Sequence, residues 1–336
     1  MQVSVGIGIT NDCNLDCAHC YRPQDRVYQL SLENIRDICQ RLDVSSMNLG
    51  TGESWIHPQF PQMVEYLTER GIKVSMASNG YSLTDMPASL LEQLHDVEVS
   101  IDFATAHGQD GFRGRGNWEC VMAAIERCHD HGVEVTILTT MMSTNYDQMD
   151  ALVHLASQVE TNLRANVYQP VHKGRDRFML SYDQFWEGYQ RLLDSGPLLS
   201  TSEPIVHAML GLDSLDGSPC GRKSIRFTPQ GHITPCVYWP DPDLTLDELD
   251  RLNAEDIVDS AQFRRARLAP SECQDCPHFP SCGGGCASRR ALLGDLNRAD
   301  IYCPLIRGER VKLSFTPATE KDLPRGSNVC TTIIVP

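Results

Sequence analysis

The feature that most restricts how this chain can fold is an alternation of short apolar runs with helix-period segments through its first 200 residues. Runs rich in Val, Ile or Met occupy 3–9, 46–49, 73–77, 97–101, 133–140 and 163–168, each bounded by polar residues or glycine. Between them, 31–43 sets Ile35, Ile38 and Leu42 on one face behind a Ser31 N-cap, and 60–70 gathers Met63, Val64 and Leu67 ahead of Gly71. Segments 117–131, closed by Gly132, and 146–159 repeat the pattern. Six strand–helix repeats predict an α/β chain with parallel strands and right-handed crossovers. A parallel barrel or partial barrel fits, with function at the C-terminal ends of its strands.

The pattern breaks at 196–216, where Gly196, Pro197, Ser200 and Pro204 intervene. Beyond lie a predicted hairpin (225–227, a turn at Pro229-Gln230-Gly231, then 232–234), a helix near 254–268, and cysteine-rich loops. Three parts follow: a core over 1–200, a cysteine-rich domain over 216–310 of low regular structure, and a tail over 311–336.

The formal charge of −15 argues against nucleic acid as a partner, because phosphate binding needs a basic surface. No run of 18 apolar residues is present to cross a membrane, and the N-terminus MQVSVGIGIT lacks the features of a secretory signal. A cytoplasmic location is therefore expected, where thiols stay reduced. The 14 cysteines should then be metal ligands or catalytic groups rather than disulfides.

The cysteines are clustered. Cys13-x3-Cys17-x2-Cys20 lies in the loop leaving the first strand. Three thiolates there can hold three irons of a 4Fe–4S cluster and leave the fourth open, as a reactive rather than structural centre requires. A zinc site would need a fourth ligand such as His19, which is wedged between two of the cysteines. Seven more cysteines lie from Cys220 to Cys303: Cys220-x10-Gly231-x4-Cys236, then Cys273-x2-Cys276-x5-Cys282-x3-Cys286-x16-Cys303. A pair of zinc ribbons would explain Cys273/Cys276, but seven ligands fit four-coordinate zinc poorly.

The first triad resembles the cluster motif of the radical S-adenosylmethionine (radical SAM) enzymes, with His19 where those enzymes hold an aromatic or His beside adenine. Thr51-Gly52-Glu53 resembles their Gly-Gly-Glu motif, with Thr51 in place of the first glycine and Ser54 in place of a proline. Ser78-Asn79-Gly80, Ser100-Ile101-Asp102 and Phe112-Arg113-Gly114 are similar to later motifs in the same order. The C-terminal pattern resembles the SPASM domain. The resemblance implies a partial (β/α)6 TIM-like barrel, with S-adenosyl-L-methionine and a SAM-binding 4Fe–4S cluster held by Cys13, Cys17 and Cys20. His19, Gly52, Glu53, Ser78, Asn79, Ser100 and Asp102 are the implied cofactor-binding residues. Two auxiliary iron–sulfur clusters are also implied, a distal one on Cys273, Cys276, Cys282 and Cys303 and a proximal one on Cys220, Cys236 and Cys286. No further cysteine stands in 213–219. The proximal cluster is left with an open iron, a ligand such as Asp213 or Asp216, or a substrate thiolate.

The same resemblance implies reductive cleavage of S-adenosylmethionine to a 5′-deoxyadenosyl radical, with an electron donor such as flavodoxin or ferredoxin. The radical would act on a ribosomally made precursor peptide, giving a crosslink, an oxidation or an epimerisation. Only two residues precede the first strand, so a peptide leader is expected to need another docking surface or a separate docking protein. A small molecule such as a sugar, dehydrogenated or epimerised, is the alternative substrate, and a non-catalytic zinc protein is a more distant reading. Cys39, Cys120 and Cys128 read as packing residues. Cys330, in the tail, reads either as an incidental thiol on an extended strand or as a hydrogen donor to a substrate radical. Arg164, Lys173 and Arg175 read as solvated surface or as contacts for an acidic substrate.

Overall fold

The computed structural model describes residues 1–172, 176–212, 221–222, 224–321 and 330–336. Lys173, Arg175, Asp213, Asp216 and Cys220 lie outside the described residues. Eleven strands among those described form one sheet: β1 (Gln2–Ile7), β2 (Asp43–Leu49), β3 (Lys73–Ser78), β4 (Asp96–Ser100), β5 (Glu134–Met141), β6 (Asn162–Val167), β7 (Leu198–Thr201), β8 (Ser224–Phe227), β9 (His232–Thr234), β10 (Leu244–Thr245) and β11 (Thr331–Ile334). Strands β1 to β6 are neighbours in chain order and run parallel. The sheet is open, ending at β10 on one side and β7 on the other. It is a partial barrel.

The strands have two kinds of face, because side chains alternate along each of them. Val97 and Val99 of β4, Val135 and Ile137 of β5, and Leu163 and Ala165 of β6 are buried in the core that also takes Ile35, Met63, Leu67, Val121, Ile125, Leu152 and Phe185 from the helices. The alternate positions Glu98, Ser100, Thr140, Arg164 and Asn166 line a cavity on the opposite face. Apolar burial holds the helices down, and polar residues occupy the concave side.

Helix Leu32–Arg41 begins at Ser31, whose side chain and Asn34 form a reciprocal capping box. It stops short of the predicted end because Asp43 already pairs with Gln2 in the sheet. The predicted helix at 146–159 is a 3₁₀ turn (Tyr146–Gln148) followed by Met149–Gln158. That at 254–268 is two short helices, Ala254–Val258 and Ala261–Ala266, divided where Ser260 caps the second. Helix Tyr182–Ser195 was not anticipated, although a Ser181/Gln184 capping box and Phe185, Tyr189 and Leu192 mark it.

Two pieces from beyond residue 200 join the barrel sheet. The hairpin β8–β9 is present, and β8 lies parallel beside β1. Strand β11, from the tail, inserts antiparallel between β6 and β7. The cysteine-rich region is tied to the barrel by Arg289, whose Nη2 donates to Glu203 Oε1 at 2.7 Å and to Asp300 Oδ2 at 2.6 Å, all three side chains being buried. Tyr302 stacks on Phe185 with centroids 4.2 Å apart. Among the described residues no helix is long and apolar enough to cross a membrane.

Candidate active site

The loop after β1 has little regular structure, and two side chains give it its shape. Asn11 donates to the carbonyls of Pro23 and Arg26 at 2.9 and 2.8 Å and accepts from Tyr28 N–H at 2.6 Å, closing the loop at its base. Arg22 donates across it to the carbonyls of Asn11 and Leu15. Cys13, Cys17 and Cys20 are thereby set on the wall of a cavity of about 180 Å³ at the C-terminal ends of the strands. His19, Gly52, Glu53, Ser78, Asn79 and Ser100 share that cavity.

Gly52 is required where it stands. Its φ is +68°, and a Cβ would lie 2.4 Å from the Asp12 carbonyl oxygen. Thr51, in place of a glycine, also has positive φ (81°) and is held there by Arg226 Nη2, which donates to its Oγ1 at 2.6 Å, and by a 3.0 Å hydrogen bond with the Tyr21 hydroxyl. Glu53 is buried, and its carboxylate accepts from Ser78 Oγ, from Asn79 N–H at 2.9 Å and from Ser82 N–H at 3.0 Å. It ties the end of β2 to the end of β3. Asn79 Nδ2 in turn reaches Cys13 Sγ at 3.6 Å and Asn14 Oδ1 at 2.8 Å.

Asp102 does not line the cavity. Fully buried, it accepts from Arg113 Nε at 2.8 Å and from Thr140 N–H at 2.9 Å, and lies 3.6 Å from His19 Nε2. Phe112 stacks on His19 with centroids 4.8 Å apart. Asp102 thus acts on the cavity through Arg113 and His19. Arg164 is no solvated residue: it lines the cavity, paired with Glu98 at 2.9 Å. Tyr21, Arg113, Arg226, Glu98 and Asn166 also line the wall without having been singled out for it from the sequence. The signal was the strand period, which puts Glu98 and Asn166 on the face of Ser100.

Burial pushes the Cys13 thiol up to about 11, and it raises that of Cys17 against the opposing pull of Arg113. Ligation would release those protons. Burial also raises the Glu53 carboxyl. Asn166 Oδ1 and Gln169 Oε1, buried in the cavity wall, accept no hydrogen bond within the described residues, which suits a polar ligand.

A second, small apolar cavity is lined by Cys273, Cys276, Cys282 and Cys303, the four thiols grouped from the sequence. Gly284 and Gly285 have φ near +84° and +87°, and a Cβ on them would strike Pro270 at 2.4 Å and Asp300 at 2.2 Å. Burial raises Cys273 to about 11 and Cys282 to about 12. Cys236 and Cys286 are buried together elsewhere, with Cys330. Cys128 is buried in the core, and Cys39 is half-buried against it. Cys120 packs beside Gly80. The described cysteines are all thiols. Among the described residues, no three His, Cys, Asp or Glu side chains converge on a single ion's position. One zinc ion would need every sulfur about 2.3 Å from it, whereas a cluster assigns one thiolate to each iron.

Residues 7–156 match the Radical SAM superfamily. The mycofactocin maturase MftC of Mycobacterium tuberculosis (strain CDC 1551 / Oshkosh) is 29% identical over 338 residues, covering 94% of this chain and 85% of that protein. Native anSMEcpe with bound AdoMet and Kp18Cys peptide aligns at TM-score 0.71 and 17% identity, over 91% of this chain and 95% of that one. SuiB of Streptococcus suis bound to precursor peptide SuiA gives 0.70 and 14%, over 90% and 76%. At these identities the two structures speak for the fold. The matched span holds the cysteine loop and the strand ends that face it: residues 7–156 form a Radical SAM domain, a kind that uses a 4Fe–4S cluster and S-adenosylmethionine, and the chain is an enzyme.

Proposed function

We propose that this enzyme modifies a ribosomally made precursor peptide, acting in the cytoplasm, with 1–200 as its radical core and 216–310 as its auxiliary-cluster domain. The observation that carries the reading is the placement of Cys13, Cys17 and Cys20 on one cavity wall at the C-terminal ends of parallel strands. When bound there, the cluster and S-adenosylmethionine supply a 5′-deoxyadenosyl radical that takes hydrogen from a substrate carbon. The chain's own residues arrange the encounter. Gly52 leaves room for close backbone approach, and Glu53 locks the β2 and β3 loops together. Asp102 holds Arg113 and His19 on the cavity wall, where they would meet the cofactor, and Asn79 steadies Cys13.

The peptide assignment is supported by the likeness to a maturase along most of the chain and to structures that hold peptides. Cys273, Cys276, Cys282 and Cys303 would hold the distal auxiliary cluster, whose role is electron relay. Cys236 and Cys286, with Cys220, would hold the proximal one. An external donor of the flavodoxin or ferredoxin kind and a separate peptide-docking protein complete the scheme.

The test is anaerobic reconstitution with iron and sulfide, then reduction with S-adenosylmethionine. The wild type should form 5′-deoxyadenosine, and Cys13→Ala, Cys17→Ala and Cys20→Ala should each form none. Unchanged cleavage in the triple variant would end the assignment. A mass change in a short peptide encoded beside this chain, absent with sugars, identifies the substrate class.

A further inference from the structure

Arg226 enters the active-site cavity from outside the six barrel strands. It lies on β8, the strand that the cysteine-rich part of the chain adds beside β1, and it is only 3% exposed. Its register partner on β1 is Gly6, which in turn faces Asn48 on β2. Register partners on neighbouring strands share a face of the sheet, and Gly6 has no side chain to block that face. The guanidinium crosses β1 there and reaches the loop after β2. Its Nη2 donates to the Gly50 carbonyl at 3.0 Å and to Thr51 Oγ1 at 2.6 Å.

Thr51 needs such an anchor. A β-branched residue at a φ of 81° is strained, and strained backbone persists only where its surroundings over-determine it. The second hold on the same hydroxyl is Tyr21, the residue after Cys20, at 3.0 Å. Tyr21 packs edge-on against Tyr238 of the cysteine-rich part, with ring centroids 5.4 Å apart. On either side of Thr51 the loop is pinned by backbone bonds, from Gly50 N–H to Ile7 O at 2.9 Å and from Glu53 N–H to Asp12 O at 2.8 Å. A rotation at Thr51 therefore shifts Gly52 and Glu53 against the cysteine loop.

We propose that Arg226 is a positioning residue for S-adenosylmethionine binding: it holds Thr51 at positive φ and so presents Gly52 and Glu53 to the cofactor. This rests on the reading of Gly52 and Glu53 as cofactor-binding residues, and it is independent of the substrate. The cysteine-rich part of the chain thereby completes the cofactor site of the barrel, through a side chain that reaches across β1.

The test is S-adenosylmethionine binding by the full chain, reconstituted with iron and sulfide and left unreduced so that no cleavage occurs, measured by isothermal titration calorimetry. Arg226→Met should weaken binding about tenfold, as the loss of a hydrogen bond from a charged donor implies. In a Thr51→Gly background the same substitution should cost at most about twofold, because glycine adopts positive φ without being held. Thr51→Ala keeps the strain and loses the hydroxyl, and should bind about fivefold more weakly than Thr51→Gly. Before cofactor is added, hydrogen exchange at the Gly50 and Glu53 amides should quicken in Arg226→Met while the amides of β4 and β5 stay protected. No weakening in Arg226→Met overturns the proposal. An equal loss in both backgrounds also overturns it, since Arg226 then acts on the cofactor directly, and so does faster exchange spread evenly through the sheet, which marks a fold defect. Should Arg226→Met fail to fold, the two Thr51 variants decide: equal affinities, or weaker binding by Thr51→Gly, sink it. A wild type that does not bind S-adenosylmethionine defeats the cofactor-site reading instead, which separates the two failures.

Discussion

The two cysteine regions of this molecule are built on opposite plans. The loop after β1 hangs from six parallel strands, whose backbone ladder and helix-facing core owe nothing to a metal. Its shape comes from Asn11 and Arg22, and it opens onto a polar cavity. The C-terminal region has helices of only four to six residues around its cysteines, such as Phe279–Cys282 and Ala287–Leu292, and its thiols lie in apolar surroundings. It is held by a buried ion triad, tight glycine turns and aromatic stacking. A centre that must admit substrate needs a scaffold standing without it, whereas a closed centre can be part of its own scaffold.

The sharpest way to break that comparison is Arg289→Met. Removing the guanidinium leaves Glu203 and Asp300 buried without their partner, a loss of about 3–5 kcal/mol. Denaturation followed by auxiliary-iron absorbance and by far-UV circular dichroism should show the cysteine-rich region releasing iron before the barrel melts. A single coincident transition would mean that the two regions fold as one unit.

Asp96, at the start of β4, probes the barrel alone. Burial raises its carboxyl to about 6 despite a hydrogen bond from Ser75 Oγ at 2.5 Å. A pKa raised above its unfolded value means that the native state binds the extra proton. Its stabilising contribution is complete below the unfolded value, near 4, and is lost as pH rises through about 6, by roughly 3 kcal/mol in all. Relative to wild type, Asp96→Asn should therefore gain stability as pH rises across that window, read from urea midpoints. A flat difference would refute it.

Thr51→Gly has the smallest expected effect. It relieves a positive φ worth about 1 kcal/mol or more. It also gives up the hydrogen bonds with Arg226 and Tyr21, at about 1 kcal/mol each. The net change should stay within about 1 kcal/mol by chemical denaturation; a loss several times larger would show that the two hydrogen bonds outweigh the strain they hold.

The parallel strands were legible because each is a local run of Val, Ile or Met, and the Cys13 triad because its spacing is short. The four thiols of the apolar cavity were grouped through the resemblance to the SPASM pattern, since spacing alone neither sets Cys286 apart from Cys282 nor brings in the distant Cys303. Helix Tyr182–Ser195 was missed although its capping box was there to read. Asp102 was found as a residue but not in its role, which depends on Arg113 folding back from the following helix.

From the sequence alone come the order of strands and helices, the side of the barrel that carries chemistry, and the kind of metal centre its thiols suit. These follow from periodicities of two and 3.6 residues and from ligands a few positions apart, all short-range properties. Tertiary structure alone decided that the tail enters the sheet between β6 and β7, that Arg164 faces inward against Glu98, and that Cys330 is buried in the cluster that holds Cys236 and Cys286. Those outcomes depend on antiparallel pairing and buried charge between segments far apart in the chain, where each contact is favourable only once the rest of the fold has excluded water.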